Sequence, residues 1–88
     1  MTRKVVFMGT AWADYKSWPA DDRRMVAKIN RLIDDIMRNG NAEGIGKPEP
    51  LRANLSGFWS RRIDQEHHLV YVATDDEVSV IACRGHYE

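Results

Sequence analysis

The 88-residue chain has one cysteine, Cys83, and its three histidines show no metal-ligand spacing with it. A disulfide-stapled scaffold and a structural zinc site are thereby excluded; no metal or cofactor is expected, and a reducing cytoplasm is. Net charge is also lacking: 13 Lys and Arg balance 13 Asp and Glu, so the whole-molecule field does not mark a nucleic-acid binder and any such signal must be local. No long apolar run exists either. After Arg3 and Lys4 only a short stretch reaches Met8, too short for a signal core or a membrane span, so neither export nor membrane association is expected. Core material is scarce, since a chain of this length hides only a little more than ~60% of its unfolded surface. A deep private pocket is therefore not expected, and a site completed by a large substrate or a partner fits better.

What is present describes a folded domain: 43% hydrophobic and 30% charged residues, with three tryptophans, three tyrosines and two phenylalanines. Val5 to Met8 form a β-prone run closed by Gly9, which predicts a first strand buried on both faces. Thr10 is placed to cap a helix whose apolar side is Trp12, Tyr15 and Trp18, with Pro19 expected to end it. Pro19, Asp21 and Asp22 then suit the start of a second helix. Its stripe of Met25, Val26, Ile29, Leu32, Ile33, Ile36 and Met37 stops at Asn39 and Gly40. Gly40 to Pro50 reads as a structured loop. Three β-like runs follow, Phe58–Ile63, Leu69–Thr74 and Val78–Cys83, the last two joined by a turn at Asp75, Asp76 and Glu77. The expectation is one α+β domain over residues 1–88, ordered β-α-α-β-β-β, with both helices on one face of a mainly antiparallel sheet and the other face free for function.

Three groups of residues can carry chemistry. Glu49 lies between Pro48 and Pro50, so its backbone is restricted towards extended geometry, although taken alone it reads first as a solvated turn carboxylate. His86 ends the chain in the company of Arg84, Gly85 and Tyr87, and an imidazole can supply a proton near neutral pH; a surface histidine on a frayed terminus would look the same. Arg61 and Arg62 follow Trp59 in a strand and must point to opposite faces; parity alone does not say which face is open. Together with Arg52, His67, His68, Arg84 and the nearby aromatics Phe58, Trp59, Tyr71 and Tyr87, they supply the cations and stacking surfaces that RNA binding uses. RNA carries its own nucleophile, the 2′-hydroxyl, so cleavage without metal needs a base, an acid and cations around the phosphorane. Glu49, His86 and an arginine are the matching types.

The motifs Gly46-Lys47-Pro48-Glu49-Pro50-Leu51, Asn54-Leu55-Ser56-Gly57-Phe58-Trp59-Ser60-Arg61-Arg62-Ile63, Glu66-His67 before Leu69-Val70-Tyr71, and His86-Tyr87 resemble those of the YoeB toxins over nearly the whole chain. The resemblance implies a RelE/ParE-like fold and a ribosome-dependent messenger-RNA endonuclease acting in the A site. It also implies a homodimer, a YefM-type antitoxin, ribosomal RNA contacts, and operator DNA reached indirectly through the antitoxin. By the same resemblance Glu49 is the general base, His86 the general acid, Tyr87 the terminal tyrosine and Arg62 a stabiliser of the phosphate, with Arg52, Arg61 and Lys47 as RNA-binding positions. Three departures stand out. His68 occupies a position where the family has arginine, and histidine offers neither a permanent charge nor a bidentate fork. Gly85 replaces an aromatic beside the acid, which is expected to loosen His86, and Glu88 extends beyond the tyrosine. A toxin that blocks the ribosome or gyrase without catalysis, or one acting chiefly as its antitoxin's corepressor, is the alternative. The basic residues Arg23, Arg24, Lys28, Arg31 and Arg38 on the second helix read first as solubilising ion pairs.

Overall fold

A computed structural model describes residues 3–85; His86, Tyr87 and Glu88 lie outside the described residues. Five strands, β1 (Lys4–Phe7), β2 (Glu49–Pro50), β3 (Trp59–Arg62), β4 (His68–Ala73) and β5 (Glu77–Ala82), form one sheet in the order β1-β5-β4-β3-β2. Two helices, α1 (Ala11–Asp21) and α2 (Arg23–Asn39), pack on one face, and a short 3-10 turn spans Ala53–Leu55. This is the α+β architecture expected from the sequence, with β2 added from within the loop before Leu51.

The long helix α2 forms for the reason its periodicity gives: Met25, Ile29, Leu32, Ile33 and Ile36 are all buried. Asp22 caps it by accepting the Arg24 N–H at 3.0 Å, and the Arg24 guanidinium beside that carboxyl holds its pKa below the usual carboxylate value. The stripe meets Leu69, Tyr71, Val78 and Val80 of the sheet, and Ala11 and Trp18 of α1 complete the core.

Two expectations give way here. Pro19 does not end α1, which runs on to Asp21. Pro19 sits in the last turn, is exposed, and sacrifices only one backbone hydrogen bond, while the Asp22 N–H still closes onto the Trp18 carbonyl at 2.7 Å. Nor is β1 buried on both faces. It is an edge strand, parallel to β5 through the pairs Lys4 with Glu77 and Phe7 with Val80, with Lys4 exposed and its other residues half-buried. Trp12, assigned to the apolar side of α1, remains 51% exposed and stacks on Tyr15.

Candidate active site

Register decides which residues share the open face. Residues directly opposite in paired strands lie on the same side of the sheet. Glu49 pairs with Ser60, Ser60 with Val70, and Arg62 with His68. Ser60 and Arg62 are two apart on β3, so Glu49, Ser60, Arg62, His68 and Val70 all belong to one face. That face is opposite the helices, because the intervening Arg61 and Leu69, themselves paired, point into the core beneath α2. Glu49 and Arg62 are exposed and His68 is partly buried. An acid, a permanent cation and an imidazole thus share one sheet face, with Ser60 and Val70 buried between them and Glu49 and Arg62 exposed, which is the chemistry a phosphodiester backbone requires.

Glu49 is held there by backbone geometry. Its two-residue strand is anchored downstream by the Leu51 N–H donating to the Phe58 carbonyl at 2.9 Å. Upstream, the Arg62 N–H donates to the Gly46 carbonyl at 2.7 Å. Gly46 has φ +83, and a Cβ there would lie 2.8 Å from Leu32 Cδ2 and 3.2 Å from the Arg62 carbonyl oxygen, so only glycine lets the loop approach this closely. Lys47 follows with φ +54, a left-handed conformation rare outside glycine and asparagine. Lys47 and Arg52 are both exposed on either side of Glu49. Beside the end of β3 an open cleft of about 210 Å³ is lined by Lys28 and Arg31 of α2 together with Ile45, Gly46, Arg62 and Ile63.

The structure corrects one assigned role. Arg61, expected to bind RNA, is only 1% exposed. Its guanidinium donates to Tyr71 Oη (2.9 Å), to the Asp35 carboxylate, and to the carbonyls of Gly40 (2.9 Å), Glu43 (2.7 Å) and Ile45 (3.0 Å). All five of its N–H directions are used, and none is left for a phosphate. Burial acts to raise the Asp35 pKa, but the Arg61 guanidinium and the Ile45 N–H outweigh it and hold the carboxyl below its usual range. Arg61 is therefore the post around which the 40–46 loop is wound. Tyr71, grouped among stacking surfaces in the sequence, is fully buried, and its hydroxyl donates to the Asn41 carbonyl at 2.6 Å.

His86 and Tyr87 lie outside the described residues, but the segment leading to them is tied down at every residue. The Cys83 N–H donates to Asp14 Oδ2 (3.0 Å), and the Cys83 carbonyl accepts from Trp18 Nε1 (3.0 Å). Burial, with the Asp14 charge adding to it, pushes the Cys83 thiol up to about 12 and makes it inert. Arg84 stacks on the Trp18 ring at 4.1 Å, donates to Ser17 Oγ at 2.6 Å, and pairs with Asp21. Gly85 has φ +90 and is not loose: its N–H donates to His67 Nδ1 (2.9 Å) and its carbonyl accepts from the His68 N–H (2.8 Å). His67 and Arg84, read from sequence as general positive charge, are thus committed to holding the C-terminal segment. Asp14, Ser17, Trp18 and Asp21 were missed because they lie more than sixty residues from their partners and leave no local pattern.

The chain is similar to known proteins over almost its full length. A family model described as "YoeB-like toxin of bacterial type II toxin-antitoxin system" matches residues 7–87. Toxin YoeB of Escherichia coli strain K12 is 55% identical over 84 residues, covering 96% of this chain and 99% of that protein. Among solved structures, a YoeB dimer from Staphylococcus aureus superposes with TM-score 0.91 at 46% identity, covering 99% of this chain and 100% of that one. YafQ from E. coli strain BL21(DE3), at TM-score 0.79 and 19% identity over 94% of this chain and 92% of that one, shares the fold.

Proposed function

The chain belongs to the YoeB-like toxins of bacterial type II toxin-antitoxin systems, and we propose that it is a ribosome-dependent endoribonuclease that cuts messenger RNA in the A site. One observation carries this reading: the β2–β3–β4 register gathers Glu49, Arg62 and His68 on the single sheet face that the helices leave open. In the proposed reaction Glu49 takes the proton of the 2′-hydroxyl, and the freed oxygen attacks the adjacent phosphorus. His86 gives a proton to the departing 5′-oxygen. Arg62 holds the phosphorane's charge, with His68 beside it on the neighbouring strand and Lys47 and Arg52 flanking the RNA backbone; Tyr87 follows the acid. The products are a 2′,3′-cyclic phosphate and a 5′-hydroxyl, and no metal enters any step.

The assembly reading rests on relatives. Staphylococcus aureus YoeB has been solved as a dimer and as a heterotetrameric YoeB-YefM complex. We assign this chain a YefM-type antitoxin, a homodimeric state, a cytoplasmic location, and operator contact only through that antitoxin. Glu49→Ala and His86→Ala, separately and together, are to be assayed for messenger cleavage on assembled ribosomes. Loss of cutting with the fold intact is expected, and undiminished cutting by the double variant would sink the assignment.

A further inference from the structure

We infer that His67 is a positioning residue for the proposed acid, acting through Nδ1 on the peptide that leads into His86. The inference rests on the ribonuclease reading above. Consecutive residues at the entry to β4 grip Gly85 from both ends: His67 Nδ1 accepts its N–H at 2.9 Å and the His68 N–H donates to its carbonyl at 2.8 Å. That carbonyl is half of the peptide bond that joins Gly85 to the next residue, so the grip acts on the link into the proposed acid. Gly85 needs such a grip. It has φ +90, its Cβ position meets nothing within 4 Å, and glycine left alone explores more backbone conformations than any other residue.

His67 is itself built to stay still. Its ring meets Trp18 edge-on, with centroids 4.8 Å apart and planes at 87°, and its side chain is only 18% exposed. Its own N–H and that of Glu66 both donate to Asp64 Oδ1, at 2.7 and 2.8 Å. Its carbonyl accepts from the N–H groups of Ile63 (2.9 Å) and Asp64 (3.2 Å). Accepting at Nδ1 leaves the ring proton to Nε2, which lies 3.9 Å from the Glu66 carboxylate. Arg84 lies across the same Trp18 ring and fixes the preceding residue by charge and stacking. Among the described residues, the acceptor for the Gly85 N–H is His67.

The test compares His67→Phe, which keeps a ring against Trp18 but has no acceptor, with His67→Asn, whose Oδ1 stands where Nδ1 stood. Because an ångström-scale misplacement of a reacting group costs up to ~100-fold in rate, kcat for messenger cleavage on ribosomes should fall about 10- to 100-fold in His67→Phe with KM little changed. His67→Asn should recover most of that loss. Amide hydrogen exchange of Gly85, read by NMR, should show protection lost in the Phe variant and kept in the Asn variant. Full activity in His67→Phe, or equal impairment of both variants, would overturn the inference. If the wild-type chain and Glu49→Ala are equally inert on ribosomes, the ribonuclease reading falls. Gly85 exchange then decides alone: protection lost only in Phe upholds the His67 contact, and protection unchanged in Phe overturns it.

Discussion

Replacing Arg61 by methionine tests whether the buried guanidinium holds the fold or serves RNA. Methionine fills much of the same space, so packing changes little, but five hydrogen bonds disappear. The carbonyls of Gly40, Glu43 and Ile45 lose a donor. Asp35 loses its cation but is 16% exposed and keeps the Ile45 N–H and the Asn39 side chain, so it can partly rehydrate. Breaking a buried ion pair by removing one partner costs about 3–5 kcal/mol, and the partial rehydration of Asp35 places this case near 4. At about 4–8 °C per kcal/mol for a domain of this size, Tm should fall by roughly 16–30 °C. Arg61→Lys should recover less than half of that, because an ammonium cannot reach three carbonyls, a hydroxyl and a carboxylate at once. Urea and thermal unfolding of both variants, followed by tryptophan fluorescence and circular dichroism, measure the effect. A Tm within about 3 °C of wild type, with messenger binding alone weakened, would refute the assignment of Arg61 to the core and return it to the RNA surface.

Gly44→Ala should destabilise by about 2–4 kcal/mol, since the added Cβ would fall 1.7 Å from Asp35 Oδ2 and 2.8 Å from Arg61 Nη1, at φ +123; denaturant midpoints measure it. Asp35 and Asp64 both have depressed carboxyl pKa values, Asp64 because the His67 and Glu66 N–H groups outweigh its burial. Depressed acids stabilise fully above the ordinary value of 3.8 and lose that contribution as pH falls through the lower folded value, so stability should start to fall below pH 3.8, with a shallower pH slope in Asp35→Asn. Trp18→Phe removes the donor to the Cys83 carbonyl and part of the Arg84 stacking surface; a loss of about 1–2 kcal/mol is expected, with a larger fractional loss of ribosomal cleavage than of stability. Arg62→Ala leaves an exposed strand position with its backbone pairs intact, so Tm should hold while cleavage drops at least tenfold.

The legible parts of the fold were those whose information is local. The α2 stripe and the β4 and β5 runs each follow from a short window of sequence. Pro19 misled because its rule concerns helix interiors, and two residues from an end the rule is weak. The placement of β1 beside β5 is a contact between opposite ends of the chain and leaves no local trace. The proposed site is a different case. Its motif named Glu49 and Arg62, but only the register separated Arg62 from Arg61, and nothing in a two-residue arginine pair says that one of them ties down a loop through three backbone carbonyls. The restraint on Gly85 itself was hidden for a related reason. Its permissive backbone is visible in the sequence, whereas the acceptor that restrains it stands eighteen residues away at the entry to β4.

The most direct test of the account is the chemistry of the ends produced when the chain meets a messenger on assembled ribosomes. The account predicts cleavage without added metal, with a 2′,3′-cyclic phosphate upstream and a 5′-hydroxyl downstream, both absent with Glu49→Ala. Translation arrest with full-length transcripts would contradict it, as would cut ends carrying a 5′-phosphate.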